Sequence, residues 1–121
     1  MRVELAREFH FEAAHRLPMV PPDHKCFRMH GHSYRIEVCV AGEVDEATGW
    51  LVDFGEIRAF VEPLLKRELD HRTLNDVAGL ENPTAEHLCG WLWTRIQPRF
   101  PGLSAITVHE TCAARCTYRG A

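Results

Sequence analysis

At 121 residues, 45% hydrophobic and 26% charged, the chain is long enough to bury a core as one domain, residues 1–121, without disulfide staples. Its formal net charge of -3 leaves no basic footprint for nucleic acid or an anionic membrane, so any nucleic-acid connection is indirect. The opening MRVELAREFHFEAAH lacks the apolar run and cleavage site of a signal peptide, and nothing in the chain reads as a bilayer span.

The first predicted element is a half-buried strand from Val3 to Arg16. Phe9, Phe11, Ala13 and His15 fall on one face; His10, Glu12 and Arg16 fall on the other. A lone histidine on the apolar side is ordinarily a hydrogen-bonded core residue. Leu17-Pro18 and Pro21-Pro22-Asp23 break the strand into a loop carrying Lys25, Cys26 and Arg28.

A second strand is predicted from about His30 to Val44, with His30, His32, Tyr34, Ile36, Val38 and Val40 on one face. His15, His30 and His32 are thus expected to look inward from two strands that can be neighbours. A His-x-His pair alone is a weak signal. Three neutral imidazoles with one open position describe a catalytic zinc site. Cys26 is either a fourth, structural ligand or, beside Lys25 and Arg28, a thiol whose ionisation is favoured and which serves as base or nucleophile.

Asp45 to Gly49 reads as a turn and Trp50-Leu51-Val52 as a short extended return. Asp53 with Glu56 predicts a capping box opening a helix, in which Ile57, Phe60, Val61, Leu64, Leu65 and Leu69 repeat at helical spacing and Pro63 predicts a kink. The helix ends on Leu69-Asp70-His71-Arg72. An adjacent Asp-His pair can interact only where the helix stops.

Residues 75–83 read as a loop. Thr84, with Glu86 in the first turn, caps a second helix whose stripe is Leu88, Trp91, Leu92 and Ile96, stopped by Pro98 and Pro101-Gly102. Two strands follow, Ala105 to Glu110 and about Cys116 to Arg119. Glu110 shares a face with Ile106 and Val108, which is costly unless the carboxylate is paired, used, or freed by fraying near Thr111. Cys112 and Cys116 flank the intervening hairpin. The odd total of five cysteines fits a reducing cytoplasm. The expected class is α+β, a four-stranded antiparallel sheet with two helices inserted between strands 2 and 3.

The segments FEAAHRLP, CFRMHGHSY, TGWLVDFGEI, LDHRTLND, LENPTAEHL and HETCAARCTYRG, in this order along nearly the whole chain, resemble the 6-pyruvoyl-tetrahydropterin synthase family, and within it the bacterial carboxy-forming branch. The three residues between Cys26 and His30 match that branch. The resemblance implies a tunnelling fold, assembled as a homohexamer from two stacked trimers with active sites between subunits. It implies zinc on His15, His30 and His32, Cys26 as the proton-abstracting base, Asp70 and His71 as its relay, and Glu110 as anchor of the pterin ring and member of the relay. The implied reaction converts 7,8-dihydroneopterin triphosphate to 6-carboxy-tetrahydropterin with loss of acetaldehyde and triphosphate. That is an early step towards queuosine, a modified tRNA base. A sister activity forming the pyruvoyl product, and a non-catalytic zinc- or pterin-binding protein, are the competing readings.

Overall fold

Strands β1 (Arg2–His15) and β2 (His30–Glu43) pair antiparallel along their full lengths, from Arg2 opposite Glu43 to His15 opposite His30. The computed structural model describes residues 1–120. Alternation does the work expected of it: Phe9, Phe11, Ala13 and His15 of β1 and Tyr34, Ile36, Val38 and Val40 of β2 are buried on one face.

Helix α1 (Phe54–Glu68) follows β2. Asp53 caps it, but the reciprocal capping box does not form: the Asp53 carboxylate accepts from Gly55 N–H at 2.9 Å. The short aspartate reaches the second amide of the helix, and Glu56 contributes only its charge to the first turn. The helix runs through Pro63, an exposed position, while Leu64 and Leu65 stay in the core. Helix α2 (Ala85–Ile96) is capped by Thr84, whose hydroxyl accepts from His87 N–H at 3.1 Å. It buries Leu88, Cys89, Trp91, Leu92 and Ile96.

Strand β4 (Leu103–His109) pairs antiparallel with β2, and β5 (Arg115–Tyr118) antiparallel with β4. The four expected strands are therefore present, each within two residues of its predicted limits.

The sheet has a fifth member. Arg72–Thr73, here β3, pairs parallel with Ala13 and Ala14, giving the order β3-β1-β2-β4-β5 and a mixed sheet. Two residues carry no periodicity, so sequence pattern cannot announce such a strand. A 3-10 turn at Leu74–Asp76 likewise occupies part of the predicted loop.

Both helices cover the face that holds the histidines. The opposite face is polar and knitted by side chains: Ser33 to Glu12 at 2.6 Å, Arg35 to Glu8 at 2.7 Å, and Ser104 to Glu4 at 2.6 Å. His109 belongs to that face. Arg35 donates to its Nδ1 at 3.1 Å, so its proton sits on Nε2 and is given to Glu37 at 2.8 Å.

Candidate active site

His15 ends β1 and His30 begins β2, so the strand register sets them opposite one another, with His32 one pleat further on. One nitrogen from each ring lies within 4.8 Å of the other two. The expected convergence of these three residues is realised.

Their second nitrogens are committed elsewhere. His15 Nδ1 lies 2.9 Å from the Pro83 carbonyl oxygen, and His30 Nδ1 lies 2.7 Å from that of Arg28. A carbonyl only accepts, so both Nδ1 atoms carry the proton and both Nε2 atoms present lone pairs. Those two Nε2 atoms are 3.0 Å apart. Neutral rings in these tautomers cannot hydrogen-bond to each other, and only a shared cation reconciles them.

Burial pushes His15 and His32 below the ordinary imidazole value, with Glu110 opposing that shift in both and the Pro83 carbonyl also opposing it in His15. A shared proton is therefore disfavoured. His32 Nε2 is buried with no hydrogen-bond partner. Two lone pairs face to face and one orphaned ring nitrogen beside them fit a divalent metal ion, with carbonyls orienting the ligands from behind.

The depressed values carry a consequence for the metal-free protein. An unfolded histidine takes up a proton as pH falls through about 6.5, while His15 and His32 in the folded chain do so only at lower pH. The unfolded state binds more protons in that window, so stability is full above it and declines as pH falls. We expect the melting temperature of chelator-treated protein to drop between about pH 7.5 and 6.0. A flat profile over that range would count against buried, neutral imidazoles.

Tyr34 was not foreseen as part of the site. Its hydroxyl lies 3.2 Å from His15 Nδ1 and shares that proton with Pro83. Burial, reinforced by Glu110, raises its pKa and keeps it a phenol. Asn75 is a second omission: its amide accepts from Arg16 N–H at 3.0 Å and donates to Arg16 C=O at 2.8 Å, pinning the chain just beyond His15. Tyr34 shared the predicted inward face with His30 and His32 but carried no signal for its bond to His15, and Asn75 had no spacing signal at all, because both act across the fold.

Glu110 lies one residue past the end of β4, its N–H donating to Ala114 C=O at 3.2 Å. The strand stops earlier than predicted, yet the carboxylate keeps the inward register. Glu110 Oε1 is 3.8 Å from His32 Nε2, beyond hydrogen-bonding distance, with its side chain 29% exposed. It also lines a hollow of about 480 Å³ with Leu17, Thr84, Glu86 and Arg115.

Asp70 and His71 meet because α1 ends at Glu68 and His71 takes a left-handed conformation, φ 58°. Asp70 Oδ2 is 3.0 Å from His71 Nδ1. The strand edge holds the pair: Glu12 N–H donates to Asp70 Oδ1 at 2.9 Å, and His71 N–H donates to Glu12 C=O at 2.6 Å. The Glu12 amide first, then His71, holds the Asp70 carboxyl below the usual carboxylate range. Asp70 thereby fixes the His71 proton on Nδ1 and leaves Nε2 as a free acceptor. His71 is 78% exposed by side chain. It lines a second hollow, of about 450 Å³, together with Glu12, His32 and Ser33.

Cys26 is half-buried in a 3-10 turn, Lys25–Phe27. Among the described residues it does not join the three-nitrogen cluster, so the closed four-ligand arrangement is not the one formed. Lys25 and Arg28 are exposed on the same loop. Phe27 anchors this loop beneath the Arg16 guanidinium, 4.7 Å from its ring centroid. Cys112 is exposed in the last turn, while the Cys116 carbonyl accepts from the buried Cys89 thiol at 3.4 Å. No second metal cluster exists among the described residues.

The family profile described as 6-pyruvoyl tetrahydropterin synthase matches residues 4–121. The 6-carboxy-5,6,7,8-tetrahydropterin synthase of Synechocystis is 42% identical, over 93% of this chain and 89% of that protein. The dihydroneopterin monophosphate aldolase of Pyrococcus furiosus is 33% identical, over 84% of this chain and 82% of that protein. The structure of Caenorhabditis elegans 6-pyruvoyl tetrahydropterin synthase superposes with a TM-score of 0.90 at 27% identity, covering 100% of this chain and 97% of that one.

Proposed function

The chain belongs to the 6-pyruvoyl tetrahydropterin synthase family, and on that premise we propose that it is the carboxy-forming lyase of the group. It converts 7,8-dihydroneopterin triphosphate and water to 6-carboxy-5,6,7,8-tetrahydropterin, acetaldehyde and triphosphate, in the cytoplasm and as an early step towards queuosine. The observation that carries a metal-dependent reading is the 3.0 Å approach of two unprotonated ring nitrogens, His15 Nε2 and His30 Nε2. The 42% identity to the Synechocystis enzyme favours this branch over its relatives.

In this reading His15, His30 and His32 would hold zinc, which would supply Lewis-acid polarisation when bound. Cys26 removes a proton from the adjacent C–H bond. His71, its Nδ1 proton tied to Asp70, accepts or returns protons at Nε2. Glu110 accepts hydrogen bonds from N–H groups of the pterin ring and holds the ring beside His32.

The assembly is a homohexamer of two trimers. Two features favour it: β1 and β5 present unpaired outer edges over most of their lengths, and His71, a relay residue in this reading, stands largely exposed on the single chain. The free cysteines suit a reducing compartment, and no helix is long and apolar enough to cross a membrane.

The test is product identification by mass spectrometry after incubation of zinc-loaded protein with 7,8-dihydroneopterin triphosphate. The carboxy-pterin with acetaldehyde is expected. A pyruvoyl product moves the chain to the sister activity with the same site, and absence of turnover by folded, zinc-loaded protein overturns the assignment for this substrate.

A further inference from the structure

A single 3-10 turn has too few internal hydrogen bonds to hold its own shape. The one carrying Cys26 is held from outside. His24 precedes it in extended conformation, φ -72° and ψ 136°, and the His24 imidazole occupies the place normally taken by a serine or aspartate cap. Its Nδ1 accepts the Cys26 N–H at 3.0 Å. Accepting through Nδ1 puts the ring proton on Nε2.

The other polar group of Cys26 is also fixed, since its carbonyl accepts from Leu17 N–H at 2.8 Å. The turn is closed by Phe27 N–H to His24 C=O at 3.0 Å and set back against the loop by His24 N–H to Pro21 C=O at 2.9 Å. Two of these bonds go to the Cys26 backbone, and the other two close and seat the turn that carries its half-buried thiol.

We propose that His24 is a positioning residue for Cys26, its Nδ1 lone pair fixing the orientation in which the thiol is presented to substrate. This rests on the assignment of Cys26 as the base. His24 itself touches no reacting atom.

The cysteines supply the reporters. Cys112 is exposed, Cys26 half-buried and Cys89 buried, so iodoacetamide labelling mapped by peptide mass gives a reference, a probe and an unfolding alarm in one experiment. With zinc-loaded His24→Ala, kcat should fall about 10–100-fold with KM within about twofold, the signature of a displaced group and not of lost binding. Labelling of Cys26 relative to Cys112 should rise about threefold or more as the turn loosens, while Cys89 stays unlabelled. His24→Asn, which keeps a side-chain acceptor at the cap, should bring both readouts to within about threefold of the parent.

Parental kcat and labelling ratio in His24→Ala would overturn the proposal, as would an asparagine variant no better than alanine. Should Cys89 become labelled in His24→Ala, the asparagine variant decides alone by the same criterion. Cys26→Ala with parental turnover would remove the base assignment instead, and the labelling ratio would still report whether His24 holds the turn.

Discussion

Exchanging Cys26 for alanine is expected to lower kcat by about 10³-fold or more while leaving zinc stoichiometry and melting temperature unchanged. The expectation separates two arrangements that the spacing of Cys26 and the histidines permits equally. As a fourth ligand, Cys26 would close the coordination shell, and its loss would release metal and loosen the fold. In the structure the thiol stands apart from the three ring nitrogens, on a loop tied down by backbone bonds and by Phe27 under Arg16. Removing one half-buried sulfur from such a loop takes away little packing. Metal analysis and a thermal melt beside the turnover assay read this directly: zinc lost in proportion to activity would sink the assignment of Cys26 as base.

His15→Ala should show the opposite profile, losing metal and stability together. His15 is wholly buried, and its ring is held by Pro83 on one side and Tyr34 on the other. Truncation leaves a cavity and strips the buried Pro83 carbonyl of its donor, a combined cost of about 2–4 kcal/mol. For a domain of this size that lowers the melting temperature of the metal-free protein by roughly 10 °C. Zinc affinity should fall by more than about 100-fold, beyond the loss typical of an outer-shell partner. His32→Ala is the control: its ring is only half-buried and its Nε2 has no protein partner, so affinity should drop with a much smaller thermal effect. Equal melting shifts in the two apo variants would contradict the structural weight given to His15.

The histidine cluster was legible because strands have a period of two. Once His15 shared a face with Phe9, Phe11 and Ala13, and His30 and His32 with Tyr34 and Ile36, pairing of the two strands had to bring the rings together. Glu110 was legible for the same reason. Its register with Ile106 and Val108 persists even though the strand ends at His109. Asp70 and His71 were visible only as a dipeptide at a helix end. Their union needs a left-handed histidine and two hydrogen bonds to Glu12, 58 residues earlier than Asp70, which no local pattern encodes. The same limit hid β3, Asn75, the bond from Tyr34 to His15 and the carbonyl of Pro83. The capping-box expectation at Asp53 failed for a shorter-range reason, since the carboxylate reaches Gly55 instead. Relatives named for three different activities share this fold family, so the reaction branch is set by finer contacts than fold-level pattern.

The register that sets His15 opposite His30 also bears on how the molecule is assembled in time. All three imidazoles lie on one antiparallel hairpin, its facing ligands only 15 positions apart in sequence. The Asp70–Glu12 clamp spans 58 positions and the Ser104–Glu4 contact spans 100. Closing a short loop costs less entropy than closing a long one, and local contacts form earlier on average than distant ones. The three-imidazole cluster therefore needs only the β1–β2 hairpin to close, whereas the aspartate–histidine pair and Glu110 depend on long-range contacts. One part of the site is encoded locally and the other by the finished fold.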